Sequence, residues 1–245
     1  MADNTILFEG DTEFNHYEVA DTIYGGRPAR VLYSGNHEAA QSGIARDDNP
    51  DLLFDYNQRF MELIRGLRPK SLLLIGGGAF TLPIALMKEF PDMAVDVVEL
   101  DGGLVDIARD YFDFRPSPNI QVHIGGGRQF IDSTGNKYDL LLVDVFTNAS
   151  LPSSFQTLEA AQSLKSRLNK NGVLAVNIIS ALRGRQAGVL DRLYETLQAT
   201  FPEVKIFPAS YGQTPWLRQN FIMTAQTANR DISSAMRYPA TDIET

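Results

Sequence analysis

The sequence predicts an α/β protein: a doubly wound, mostly parallel seven-stranded sheet preceded by a small β-rich domain. Three observations predict it. From Lys70 onward, short apolar runs alternate with segments of helical periodicity, as the crossover units of a parallel sheet require. The runs at 71–75, 138–143 and 172–178 are almost unbroken in apolar residues, as in strands covered on both faces. The first of them ends in Gly76-Gly77-Gly78, and an acid, Glu99, stands about 20 residues further on at the tip of the next strand.

Residues 1–48 read as a β-rich domain. Thr5–Glu9, Tyr17–Ile23 and Ala29–Ser34 are β-rich, and Gly25-Gly26 supplies a hairpin turn between the last two. Asn49-Pro50-Asp51 then gives an N-cap followed by a first-turn proline, opening a helix with the apolar stripe Leu53, Tyr56, Phe60, Leu63 and Ile64 that ends near Gly66 and Pro69. The main domain spans 49–227. Its strands are expected at 71–75, 94–99, 119–124, 138–143 and 172–178, and its helices at 80–89, 102–112, 155–168 and 184–200. Two late segments, 203–207 and 219–225, read as a closing antiparallel pair, and residues 228–245 as a loose polar tail.

Composition narrows the function. A formal net charge of −8 supplies no basic stripe to neutralise phosphates, which argues against nucleic acid. The chain has no cysteine, and its three histidines (His16, His37, His123) lack ligand spacing, so no metal site is expected. No apolar run approaches membrane length, and the N-terminus is polar, so a cytoplasmic protein is the default expectation.

In a doubly wound sheet, ligands sit beyond the carboxyl ends of the strands. Gly76, Gly77 and Gly78 stand there, suited to close approach of a ligand near a helix N-terminus, although a tight turn that binds nothing uses glycine equally well. A nicotinamide fingerprint needs glycine at position 81, which is Thr81, so the looser turn of the AdoMet-dependent transferases fits better. Glu99 can accept both hydroxyls of a ribose, while Asp101 is the better helix cap. Asp144 ends the fourth strand, where an acid can orient or deprotonate an amine, or merely cap a loop. Gly125-Gly126-Gly127-Arg128 forms a second glycine cluster, fit for passing close to a flat ring; Arg128 reads as a surface residue near a helix start. Tyr56 lies on the apolar stripe of the first helix, and Tyr211 and Trp216 occupy a loop that could cover the site.

Taken together, these residues resemble the spermidine synthase (polyamine aminopropyltransferase) family from about residue 9 to 226. Leu-Ile-Gly-Gly-Gly at 74–78 resembles its glycine loop, and Val-Glu-Leu-Asp at 98–101 its ribose-binding stretch, which implies that Glu99 is the ribose ligand. Asn15, in Glu13-Phe14-Asn15-His16, stands where the family has a cofactor-contacting glutamine; Gln41-Ser42 matches a site position, and Tyr211 with Trp216 resembles the substrate-covering loop. The stretch 143–152 is closer to diverged spermidine-synthase-like proteins. Several family acids are missing. Ala79 follows the glycine loop in place of aspartate, Gly126 replaces the aspartate that meets the adenine amino group, Thr147 replaces the second acid of the catalytic loop, and Tyr56-Asn57-Gln58 replaces tyrosine-histidine-glutamate. Each lost charged hydrogen bond weakens diamine binding by roughly 1.5–3 kcal/mol.

The resemblance implies a Rossmann-like methyltransferase-type fold and a transferase binding AdoMet, decarboxylated AdoMet or a related thio-nucleoside. Asn15, Gln41, Gly76, Gly77, Gly78, Glu99, Gly126 and Asp144 are its expected cofactor residues, and Asp144, Tyr56 and Tyr211 its expected catalytic ones. The acceptor is expected to be a small molecule, with polyamine doubtful and a homodimer left open as the assembly. The rival readings are an AdoMet-dependent methyltransferase on a non-polyamine acceptor and a nucleoside-binding protein without catalysis.

Overall fold

The computed structural model describes residues 4–35, 39–48, 52–147, 150–210, 212–228, 232–236 and 239–241. The N-terminal unit is a four-stranded antiparallel sheet in sequential order: β1 (Thr5–Asp11), β2 (His16–Tyr24), β3 (Arg27–Ser34) and β4 (Ala39–Ala45). Gly25 and Gly26 make the predicted turn with φ of 57° and 80°, the positive pair that a two-residue hairpin needs to match strand twist. The fourth strand was not expected, because Ala39-Ala40-Gln41-Ser42-Gly43 lacks β-branched residues; pairing with β3 supplies what propensity does not.

Helix α1 (Asp55–Leu67) begins later than the Asn49-Pro50-Asp51 signal, which lies outside the described residues. Leu52 forms a bridge with Ile44, which holds the chain extended up to the helix, so Phe54 becomes an N-cap without a side-chain bond. The helix ends as expected: Arg68 turns left-handed (φ 50°) just before Pro69.

The main sheet has seven strands in the order β10-β11-β9-β8-β5-β6-β7. Strands β5 (Ser71–Ile75), β6 (Ala94–Glu99), β7 (Ile120–Ile124), β8 (Tyr138–Val143) and β9 (Leu168–Ser180) run parallel. Strands β10 (Glu203–Pro208) and β11 (Gln219–Gln226) close the edge as an antiparallel pair, as predicted. The crossovers are α2 (Thr81–Glu89), α3 (Gly102–Tyr111), α4 (Gly127–Ser133), α5 (Leu158–Ser166) and α6 (Gly188–Gln198). The short α4 was expected only as a helix start, since it opens on glycine and lasts 7 residues. Among the described residues no helix is long and apolar enough to cross a membrane.

The strand order reverses between β5 and β8, which is where such sheets open a crevice. Ile75 and Val143 are in register across that seam, so Gly76 and Asp144 emerge side by side. The small sheet does not stand apart. Tyr17, Val19 and Leu32 belong to the same buried cluster as Leu72, Leu74 and Phe80 of the main unit. The expectation of a loose tail is corrected. Ile232 and Met236 are buried in that cluster, Ala235 packs on Gly66 of α1, and Thr241 donates its N–H to the Ile206 carbonyl. Three apolar side chains in a polar stretch suffice to dock it against the open flank of α1.

Candidate functional site

The glycine loop is shaped by protein as much as by any ligand. Gly76 has φ 96°, and a Cβ there would come 2.1 Å from the Asp144 carbonyl oxygen; Gly78 has φ 53°, and a Cβ would come 2.5 Å from Ser42 Oγ. Glu99, only 7% exposed, lies beneath the loop. Its Oε2 accepts from the N–H groups of Gly77 (2.7 Å) and Gly78 (3.1 Å), and its Oε1 accepts from that of Asp101 (3.0 Å). Three of the carboxylate's four lone-pair positions are therefore filled by backbone, leaving one at Oε1 for a hydroxyl. Asp101 caps α3 through Gly103 N–H (3.0 Å) and accepts a hydrogen bond from the Thr12 hydroxyl, which ties the β1–β2 turn to the main sheet.

A cavity of about 720 Å³ opens beside the loop, within the usual range for small-molecule sites. Gly76, Gly77, Gly78, Gln41, Asn15 and Asp144 all face it. Gln41 is braced by donating to Ser34 Oγ (2.8 Å), and Ser42 Oγ accepts from the Ala79 N–H (3.1 Å). Asn15 closes the β1–β2 turn through its carbonyl, which accepts from Thr12 N–H at 2.8 Å, and its Oδ1 accepts from His16 N–H at 2.9 Å. Asp144 is half-buried, and Asn177 Nδ2 donates to its Oδ1 at 2.9 Å. Burial pushes the Asp144 carboxyl up to about 6; hydrogen bonds from Asn177 and the Tyr56 hydroxyl oppose that rise, and the charge of Glu99 adds to it. Tyr56 is raised well above the usual phenol range by burial and then by the Asp144 charge. A carboxyl titrating near neutrality, next to a phenol that keeps its proton, can exchange a proton with a bound amine.

A second cavity of about 630 Å³ lies on the other side of the β1–β2 turn. It contains Gly126, which the sequence groups with the other cofactor residues but which does not line the first cavity. Here the glycines leave room: a Cβ on Gly125 would meet nothing within 4 Å, and one on Gly126 only Gln129 Cβ at 3.9 Å. Phe14, Leu100 and Ile124, exposed by 49%, 50% and 58%, present apolar surface around this shelf. Arg128 points away, pairing with Asp132 through Nη2 at 3.0 Å.

Tyr211 lies outside the described residues. Trp216 does not cover the cavity; it is 61% exposed, and its ring lies 3.3 Å from the Cβ position of Gly184. Pro215 accepts the N–H groups of Leu182 and Arg183, which draws the loop toward the β9–α6 connection instead. Sequence reasoning missed Asn177 and Thr12. Asn177 left a trace, being the one polar residue in the apolar run 173–179; Thr12 left none.

Comparison with known proteins agrees with this geometry. A family model described as the spermine/spermidine synthase domain matches residues 60–225. The polyamine aminopropyltransferase of Vibrio vulnificus is 33% identical over 172 residues, covering 69% of this chain and 51% of that protein, so the chain spans about half the length of this curated relative. A probable spermidine synthase from Corynebacterium glutamicum superposes with a TM-score of 0.79 at 19% identity, covering 95% of this chain and 88% of the other. Human methyltransferase-like protein 13 in complex with SAH superposes with a TM-score of 0.62 at 25% identity, covering 71% of this chain and 82% of the other. The seven-stranded sheet, the seam between β5 and β8 and the extent of the sequence match lead to one assignment: the chain belongs to the spermine/spermidine synthase domain family.

Proposed function

We propose that this chain is a transferase that takes AdoMet, decarboxylated AdoMet or a related thio-nucleoside and passes a group from its sulfonium to a small-molecule amine. The nucleoside spans the two cavities in this reading. Gly125 and Gly126, with Leu100 and Ile124 beside them, would hold its flat ring, the free lone pair of Glu99 would serve its ribose, and the cavity that holds Asp144 would take its sulfonium end. The apolar walls and vacant glycine faces of the second cavity fit a purine, and the single open lone pair of Glu99 fits one hydroxyl rather than two.

When bound, the sulfonium supplies an electrophilic carbon, and the C–S electron pair returns to sulfur as the new C–N bond forms. The chain's own part is positioning and proton management. Asp144 receives the proton that the amine must lose, and Asn177 fixes the carboxylate by holding Oδ1. Tyr56, at 3.4 Å from the Gln41 carbonyl, braces the same wall. The observation that carries the reading is Asp144 itself: a carboxyl lifted to about 6 at the strand tip beside the glycine loop. A methyltransferase acting on an amine uses the same residues, and the likeness to the human methyltransferase-like protein favours it as the second reading.

A thermal-shift panel with AdoMet, decarboxylated AdoMet, methylthioadenosine and NAD tests the cofactor. A sulfur nucleoside at about 100 times its dissociation constant is expected to add roughly 2.7 kcal/mol, with no response to NAD. Silence from every sulfur nucleoside overturns the proposal. Product analysis with each sulfonium donor and a panel of amines then separates aminopropyl from methyl transfer.

A further inference from the structure

The cavity beside the glycine loop has an unusual charge inventory for a cleft that receives a cation. Among its described lining residues Asp144 is the one carboxylate, and no lysine or arginine faces it. The rest of its polar wall is amide and hydroxyl. Asn177 is fully buried and holds Asp144 Oδ1, while its own Oδ1 has no partner among the described residues. Toward the mouth, the wall is aromatic. Tyr24 meets Phe54 edge-on at 5.2 Å between ring centroids, and Phe54 stacks on Tyr56 at 6.0 Å. These rings line that stretch of the wall with carbon and carry no formal charge to offset an ammonium. Beyond them lies a neighbouring recess of about 420 Å³ that shares Tyr24, Phe54, Tyr56 and Asn220 with the cavity. It contains Asp55, an exposed carboxylate that accepts a hydrogen bond from the Ser210 hydroxyl. Asn220 therefore stands where cavity and recess join, as a neutral amide.

An ammonium leaving water needs a counter-charge at its destination. Among the described residues, Asp144 provides the one such place in the inner cavity. A chain long enough to reach the rings from Asp144 lays its far end against carbon and amide, which suits an uncharged tail and penalises a second ammonium.

Resting on the transferase reading above, we propose that the acceptor is a primary monoamine: its nitrogen sits at Asp144, its uncharged tail lies along Tyr24, Phe54 and Tyr56, and Asn220 at the mouth disfavours a second positive charge. The far end of the acceptor, not the reacting end, then separates this chain from relatives named for polyamine transfer.

Calorimetry on the full chain tests it, using n-butylamine, phenethylamine, putrescine and 1-butanol, each with and without saturating methylthioadenosine. Both monoamines are expected to bind, putrescine at least tenfold more weakly than n-butylamine, and 1-butanol not at all. Asn220→Asp is expected to raise the putrescine-to-butylamine affinity ratio at least tenfold. Asp55→Asn, at an exposed site in the outer recess where the amide oxygen can still accept from Ser210, is expected to leave that ratio unchanged. Putrescine binding as tightly as butylamine overturns the proposal, and loss of that binding in Asp55→Asn would assign the second cation to the outer recess. Methylthioadenosine binding with no amine binding overturns this inference alone. Amine ranking as expected with no nucleoside binding overturns the transferase reading and leaves the monoamine preference standing.

Discussion

The chain carries two glycine clusters at strand tips, and they are alike in sequence and opposite in space. Gly76-Gly77-Gly78 is filled from behind: Asp144, Phe80 and Ser42 occupy the places where side chains would stand. Gly125 and Gly126 face open volume, while Gly127 alone is packed, its Cβ position 2.2 Å from Ile75 Cγ2. The first cluster lets the protein approach itself, and the second leaves a shelf for something else. A run of glycines in a sequence marks a place where side chains are excluded; only the structure says what does the excluding.

Gly76→Ala combines a φ of 96° with a Cβ 2.1 Å from a backbone oxygen, and neither partner can swing aside. Chemical denaturation should show a loss of about 3 kcal/mol or more; a loss under 1 kcal/mol would mean that the seam between β5 and β8 relaxes freely. Glu99→Ala strands the N–H groups of Gly77, Gly78 and Asp101, with an expected cost of roughly 2–4 kcal/mol. Loss of any thermal shift with sulfur nucleosides should accompany it, and an unchanged shift would remove Glu99 from the ribose.

Asp144→Asn acts through pH. Burial lifts the carboxyl from its ordinary 3.8 to about 6 in the folded chain, so the native state holds its proton more tightly than the unfolded state does. That contribution is complete below about pH 4, declines as pH rises toward 6 and is absent above it. The variant should therefore be more stable than the parent at pH 8, by roughly 1–3 kcal/mol, and not at pH 4. Transfer activity should fall to background. Equal melting temperatures at pH 8 would show that Asp144 is not strained by burial.

Gly126→Ala is the smallest change and the sharpest contrast with Gly76→Ala. With φ −70° and open space around it, the residue should tolerate a methyl within about 0.5–1 kcal/mol. If the shelf holds a ring, nucleoside affinity should nevertheless fall at least about tenfold, a loss near 1.4 kcal/mol. Unchanged affinity would vacate the shelf.

Much of this was legible beforehand, for identifiable reasons. The strands at 71–75, 94–99 and 138–143 could be read because burial on both faces writes an unbroken apolar run. β4 could not, since Ala39–Ala45 has no alternation and a single branched residue, Ile44, and owes its form to β3. Glu99 was identifiable as a site residue from its place at a strand tip, yet its three backbone donors come from a loop 22 residues away and from its own turn. The division of labour between Gly76–Gly78 and Gly125–Gly126 depends on contacts with residues far along the chain, which periodicity does not encode. Trp216 followed the wrong neighbour for the same reason: Pro215 binds backbone from 182–183 and carries the ring off with it.

The core shared by Tyr17, Val19 and Leu32 with Leu72 and Leu74, reinforced by the Thr12–Asp101 bond, has a consequence for how the chain comes to exist at all. The small sheet is finished first during synthesis, yet it has few partners until β5 emerges behind it. The shared cluster couples the packing of the two sheets. The chain should melt in a single transition seen alike by the aromatic and amide signals, and the leading strands should gain hydrogen-exchange protection only as fast as the strands that follow them.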